Sequence, residues 1–248
     1  MTTQVALVGG SGRLGRIIHQ VIDDTDGFEV RTVLGSASEL SELDGADLVV
    51  DASVPAVSID VVRASIDRGI NVLVGTSGWS QERIALVRPL VTAAETGVVF
   101  IPNFSLGSAL GTALAAAAAP FFPFAEIVES HRDTKIDSPS GTAVRTAEQM
   151  AEARDERGPF AAPHADQRAR GQQVAGVPVH SLRRPGVIAR QEAILSGAGE
   201  SLTIVHDTVD SATAYTPGIR LALPFARDAK GIVVGLENII DIGIRARA

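Results

Sequence analysis

The chain contains no cysteine. That excludes disulfides, thiolate metal ligands and a cysteine nucleophile, and it fits a reducing compartment without requiring one. An excess of basic residues is also missing, and the formal net charge is −7. Nucleic-acid binding draws on a basic surface that releases counterions, so nucleic acid is not an expected partner. Long hydrophobic runs are absent too. The longest apolar stretch, residues 109–122, contains Gly111, Thr112 and Pro120 and falls short of the roughly 20 residues that a membrane span needs. It reads as a buried helix, and no membrane partner is expected. The opening residues, MTTQVALVGG, have no basic segment followed by an apolar one. No secretory signal is expected, and the expected location is cytoplasmic. His19, His164, His180 and His206 are scattered without the spacing of a ligand pair, so no metal is expected.

What is present is a globular balance, 45% hydrophobic and 21% charged over 248 residues, enough to bury a full core in one domain or two. The first hundred residues alternate short β-branched runs with helical spacing. Strands are expected at Val5–Val8, Phe28–Leu34, Leu48–Asp51, Asn71–Val74 and Val98–Ile101. Helices are expected at Leu14–Ile22, Val57–Arg68 and Gln81–Glu95. Strands separated by helices pair in parallel through right-handed crossovers, which makes this half an α/β, Rossmann-type doubly wound sheet.

The rhythm changes after Pro102. A helix at Gly107–Ala119 leads to a strand at Glu126–Ser130, a loop, and a helix at Thr142–Arg157. Residues 158–176 carry Pro159, Pro163, Gly171 and Gly176 and read as a surface loop. Val177–Leu182, Ile188–Leu195 and Ser201–Asp207 alternate as strands of an antiparallel or mixed sheet. Beyond Pro217 and Gly218, Ile219–Ala226 reads as a helix and Gly231–Val234 as a strand. The expected organisation is a dinucleotide-binding domain of residues 1–104 plus 216–248, with an inserted α+β domain of residues 105–215.

Gly10-Ser11-Gly12-Arg13-Leu14-Gly15 fits G-x-G-x-x-G after a strand and before a helix, and Gly9 adds one more glycine. Glycines permit the tight turn and let backbone N–H groups approach a pyrophosphate, whose charge the helix N-terminus favours. An acid that would bond a ribose 2′-hydroxyl is expected about 20 residues further on. Here Gly35-Ser36-Ala37-Ser38 precedes the first acid, Glu39. Nothing in that stretch repels a 2′-phosphate and serine hydroxyls can donate to one, so NADPH is favoured, with NADH as the alternative.

The densest polar string is Glu129 to Ala143, ESHRDTKIDSPSGTA. His131 and Lys135 can handle protons, and Ser140, Gly141 and Thr142 can hold a carboxylate with backbone N–H groups and a hydroxyl. Alone, a His and a Lys in one loop are also what a solvated surface looks like. Arg183, Arg184 and Arg190 suit either a dicarboxylate site or a polar strand face.

The string VESHRDTKIDSPSGTA resembles the His/Lys/PSGTA signature of the dihydrodipicolinate reductase family of lysine and diaminopimelate biosynthesis. VGGSGRLGR (8–16), DASVP (51–55), VGTSG (74–78), IPNFS (101–105), GVPVHSLR (176–183), GESLTIVHD (199–207) and YTPG (215–218) agree in order, across nearly the whole chain. The resemblance implies reduction of a cyclic imine dicarboxylate, a substrate-binding inserted domain and a homotetramer. It implies His131 and Lys135 as the proton-handling pair, and Arg132, Ser140, Gly141 and Thr142 as substrate contacts. Together with the glycine turn it implies cofactor contacts at Gly9, Gly10, Ser11, Gly12, Arg13, Leu14, Ser36, Ser53, Gly75, Thr76, Ser77, Ile101, Pro102, Asn103 and Phe104. The family's second histidine is Arg132 here, and an arginine usual after Asp210 is Ser211. Those departures motivate a second reading, a paralogous reductase of a different cyclic imine. A non-catalytic dinucleotide-binding sensor is a third, and it leaves the His131–Lys135 string unexplained.

Overall fold

The computed structural model describes residues 1–241. In chain order the elements are β1 (Thr3–Val8), α1 (Arg13–Asp23), β2 (Phe28–Leu34), β3 (Leu48–Asp51), α2 (Pro55–Ile66), β4 (Asn71–Val74), α3 (Gln81–Ala93) and β5 (Gly97–Phe100). There follow α4 (Leu106–Ala118), β6 (Phe124–His131), α5 (Gly141–Glu152), β7 (Gln172–Val174), β8 (Val177–Arg183), β9 (Ala189–Gly197), β10 (Glu200–Thr208), α6 (Ser211–Asp228) and β11 (Gly231–Val234). The chain divides into two compact units, Met1–Ser105 with Tyr215–Ile240, and Leu106–Ala214. Residues 242–248, which the sequence reading puts in the first domain, lie outside the described residues.

The first unit is built on a six-stranded sheet of order β11-β5-β4-β3-β1-β2 in which every pairing is parallel. Its central strands β3 and β5 are buried at every position, as expected where helices cover both faces, while the edge strand β2 alternates. Val49, Val72, Val74, Val98 and Phe100 from neighbouring strands pack with Val62, Ile66 and Val87 of α2 and α3 in one apolar cluster. The strand order reverses at β1, so the loop after β1 lies at the switch point, where doubly wound sheets take ligands. The structure therefore has the doubly wound sheet read from the sequence. The helix expected from Val57 starts earlier, at Pro55, because a proline at the first helical position has the right φ and no N–H to satisfy.

The second unit holds a mixed sheet of order β10-β9-β6-β8-β7, with β6 and β8 parallel and the remaining pairs antiparallel. Ala125, Ile127, Val177, Val179, Ala193 and Leu195 turn toward Ala115 of α4 and Ala143, Ala147 and Met150 of α5. Small helix residues let the helices lie close to the sheet.

Three expectations need correction. The helix read as Ile219–Ala226 is the longer α6, which passes through Pro217 and Pro224. Asp210 starts it by accepting from Thr213 N at 2.8 Å, and Gly218 is glycine because an added Cβ would strike the Phe104 carbonyl, not because the helix breaks there. Residues 158–176 are not simply a surface loop, since they include β7 and bury Phe160 beneath the Arg154 guanidinium, 4.3 Å from its ring centre. The helix read as reaching Arg157 ends at Glu152, followed by a separate 3-10 turn at Asp155–Arg157.

One side chain locks the far end of α6 into the first unit. Asn71 Nδ2 donates to the carbonyls of Ala226, Arg227 and Ala229 at 3.0, 2.8 and 2.9 Å, and its Oδ1 accepts from Gly97 N at 2.7 Å. Leucine is close in size and leaves all of these groups unpaired. Asn71→Leu is expected to lower stability by about 2–3 kcal/mol, read as the urea midpoint of unfolding. An unchanged midpoint would mean that water serves these carbonyls equally well.

Candidate active site

Parallel strands bring their C-terminal ends to one edge of a sheet, and the sequence-predicted cofactor residues follow five of those ends. Gly9 to Leu14 follow β1, Ser36 follows β2, Ser53 follows β3, Gly75 to Ser77 follow β4, and Ile101 to Phe104 follow β5. Gly9 adopts φ +82° and backs onto the Ala52 backbone, so a side chain is excluded both by conformation and by space. Gly15 backs onto the Gly9 carbonyl and would place a Cβ 2.7 Å from Gly10 Cα, which lets α1 begin hard against the turn. That helix starts at Gly12 with no side-chain cap and no acid in its first turn, and Arg16 donates to the Ser11 carbonyl to brace the loop. An uncapped, acid-free helix start behind a glycine turn fits a pyrophosphate.

The neighbouring loops are tied to the same edge. Gly75 N donates to Asp51 O at 2.8 Å, and Thr76 Oγ1 to the same carbonyl at 3.3 Å. The buried Asp51 carboxylate takes Ser53 N at 3.0 Å together with the hydroxyls of Ser53 and Ser58. A Cβ on Gly75 would meet Phe104 Cε2 at 2.8 Å and Leu14 Cδ2 at 3.0 Å. Residues predicted from three separate loops thus meet at one point. Ile101 and Phe104 are themselves 1% and 2% exposed, so their side chains wall the site and leave contact to the backbone around Pro102 and Asn103.

In the second unit β6 runs to His131 and β8 to Arg183, and these two residues face each other in the parallel register. Residues i and i+2 of a strand share a face, which puts Glu129 beside His131. Glu129 is fully buried. Its Oε2 lies 2.6 Å from His131 Nδ1, and its Oε1 accepts from Ser140 N at 3.1 Å. Arg183 donates from Nη1 to Oε2 and from Nη2 to Oε1, both at 2.9 Å. Burial pushes the Glu129 carboxyl up, but the hydrogen bonds from His131 and Arg183 outweigh it and hold it at about 2.

Lys135 Nζ reaches both oxygens of Asp137, at 2.7 and 2.8 Å, and the Asp137 carbonyl accepts from Arg183 Nη2 at 2.6 Å. Burial raises the Asp137 carboxyl, and the stronger pull of Lys135 holds it below the usual range. His131, Lys135 and Ser140 therefore belong to one network. Ser140 caps α5 by accepting from Ala143 N at 3.2 Å. Gly141 is exposed and a Cβ there would meet nothing within 4 Å, so the start of α5 is open to an anion. Arg132 is exposed at the turn into the loop. His180 pairs with Glu126 at 2.8 Å, and His206 packs over Gly107, where an added Cβ would meet its ring at 2.7 Å.

The family model of the dihydrodipicolinate reductase N-terminus matches residues 3–104, and that of the dihydrodipicolinate reductase C-terminus matches residues 107–240. The chain belongs to the dihydrodipicolinate reductase family. Its reaction class is accordingly an NAD(P)H-dependent reduction in lysine and diaminopimelate biosynthesis. It is 56% identical over 250 residues to the 4-hydroxy-tetrahydrodipicolinate reductase of Clavibacter sepedonicus, covering 100% of this chain and 90% of that one. Identity to the enzyme of that name from Beutenbergia cavernae is 41%, covering 98% of this chain and 100% of the relative. Among solved structures, a dipicolinate-bound dihydrodipicolinate reductase from Paenisporosarcina sp. TG-14 superposes with a TM-score of 0.80 at 27% identity, covering 97% of this chain and 100% of that one.

For a member of this family, Glu129 is the residue that sequence reasoning left without a role. The i, i+2 spacing to His131 on a strand was the signal that could have found it. Its low pKa links folding to pH. The stability it contributes is complete above the usual carboxylate value of 4.5 and is lost as pH falls toward about 2. Urea unfolding between those limits is expected to show a steeper acid loss in the wild type than in Glu129→Gln. Parallel curves would place the acid sensitivity elsewhere.

Proposed function

We propose that the chain is a 4-hydroxy-tetrahydrodipicolinate reductase that prefers NADPH. The observation that carries this reading is the His131–Glu129 pair joined by one hydrogen-bond network to Lys135 and to the open start of α5. The relatives named for this reaction, at 56% and 41% identity, support the substrate. The first unit would hold the dinucleotide through Gly9 to Leu14, Ser36, Ser53, Gly75 to Ser77 and Ile101 to Phe104. Bound there, the reduced nicotinamide supplies the hydride.

Balance then requires one proton to enter and one water to leave for each substrate reduced. His131 is suited to the proton. Glu129 fixes Nδ1, which leaves Nε2 as the atom that can present one. Lys135 adds positive charge for a dicarboxylate and a second proton-bearing nitrogen. The N–H groups of Gly141 and Thr142, with the Thr142 hydroxyl, would seat one carboxylate at the start of α5, where no acid competes in the first turn. The dipicolinate bound by the Paenisporosarcina relative is a ring dicarboxylate of matching chemistry.

Cofactor preference follows from the end of β2. Ser38 Oγ accepts from Gly35 N at 3.2 Å, and Glu39, the nearest acid, is occupied in a capping box with Glu42. The residues directly after β2, Gly35 to Ser38, carry no carboxylate, and Glu39 is engaged at the start of the next turn, which supports NADPH over NADH. The sheet of the second unit supports a homotetramer. Its helix-free face exposes Leu182, opposite Ser130, and Val205, opposite Glu192, apolar side chains suited to contact with further copies of the chain. Among the described residues no helix is long and apolar enough to cross a membrane, which is compatible with a cytoplasmic location.

The deciding assay follows reduced-nicotinamide absorbance while pyruvate and aspartate semialdehyde are condensed in the cuvette. NADPH is expected to be consumed faster than NADH, and only with that condensation product present. His131→Gln and Lys135→Ala are each expected to cut kcat by about 100-fold or more, with NADPH binding within about twofold. A protein that binds NADPH and does not consume it would refute the substrate.

A further inference from the structure

Arg183 makes more contacts than a simple ion pair requires. Both oxygens of Glu129 are taken by its fork, while Nη1 also donates to Leu182 O at 2.7 Å and Nη2 to Asp137 O at 2.6 Å. Its Nε is buried and finds no acceptor among the described residues, an unfavourable position that the fork geometry must outweigh. Without the fork, Glu129 keeps one hydrogen bond on each oxygen, from His131 Nδ1 and from Ser140 N. A planar guanidinium bonded to both oxygens adds a paired contact in one plane and narrows the rotation that those two bonds leave. The same guanidinium holds the loop residue whose carboxylate binds Lys135.

We infer that Arg183 is a positioning residue for the reduction, setting the His131 ring through Glu129 and the Lys135 loop through the Asp137 carbonyl without itself meeting the substrate. This rests on the proton-handling roles proposed above. A merely structural ion pair would contribute stability and leave kcat unchanged in any variant that still folds. His131 is faced by the Glu129 carboxylate on its own strand, by Arg183 on β8 and by neutral Ala189 on β9, with the Lys135–Asp137 pair on the following loop. Arg183 and the imidazole share one carboxylate, so losing the guanidinium changes how Glu129 holds the ring.

The test uses the whole protein with labelled histidine, followed by NMR without substrate, the His131 signal being the one missing from His131→Gln. Arg183→Met is expected to shift and broaden the His131 ring signals as Glu129 loses its clamp, and Glu129→Gln to remove the downfield Nδ1–H signal. In turnover, Arg183→Met is expected to lose about 30- to 100-fold in kcat with little change in KM for NADPH. Arg183→Lys, which keeps the charge but not the fork, is expected to restore little of the rate. If Arg183→Met does not fold, the lysine variant decides alone, with far-UV circular dichroism reporting its fold and a kcat within about threefold of wild type overturning the inference. His131 ring signals unmoved in Arg183→Met also overturn it. The expected His131 signals in a protein that fails to reduce the proposed substrate would uphold the Arg183 clamp and refute the substrate instead.

Discussion

A carboxylate buried from water is tolerated only when charge and hydrogen bonds replace its hydration, at a cost of several kcal/mol otherwise. Glu129 is such a group, at 0% exposure, and much of the second unit serves it. The parallel pairing of β6 with β8 brings Arg183 level with His131. The turn into α5 points Ser140 N at the same carboxylate. The loop between these elements is closed by the Asp137 carbonyl on the Arg183 guanidinium. Satisfying one buried charge thus assembles the histidine, the lysine loop and the helix start in one place.

The first unit obeys a different constraint, close backbone approach. Gly9 and Gly15 sit where any Cβ would strike neighbouring backbone, and Gly75 where it would meet Leu14 and Phe104. Parallel pairing then gathers the loops after β1 to β5 at one edge. The two units differ in what they build, a glycine turn at the edge of a parallel sheet in one and a buried carboxylate beside a histidine in the other.

Much of this was legible in the residues. Strands at Phe28–Leu34, Leu48–Asp51, Asn71–Val74 and Gly231–Val234 were readable to the residue, because short apolar runs between turn signals have little freedom to be anything else. The glycine turn was readable because its strand–turn–helix pattern is local, whereas the His131 to Thr142 string stood out through its family resemblance and not through its residue types alone. What escaped depends on partners distant in sequence. Arg183 lies 54 residues from Glu129, and nothing in its own strand separates a clamp from a polar face. Pro217 and Gly218 looked like a helix boundary, yet α6 runs through them, and only the approach of Gly218 to Phe104 shows what the glycine is for. Phe160 was hidden in a segment of prolines and glycines because its burial comes from the core formed by residues such as Ala119, Ala125 and Val177.

The central claim is that the end of β6, the Lys135 loop and the start of α5 form the seat of a cyclic dicarboxylate. A crystal structure with NADPH and dipicolinate tests it directly. One dipicolinate carboxylate is expected on the backbone N–H groups of Gly141 and Thr142, with His131 Nε2 and Lys135 Nζ turned toward the ligand and the Glu129–Arg183 pair intact behind them. Dipicolinate bound away from α5, or His131 parted from Glu129 in the complex, would contradict the account.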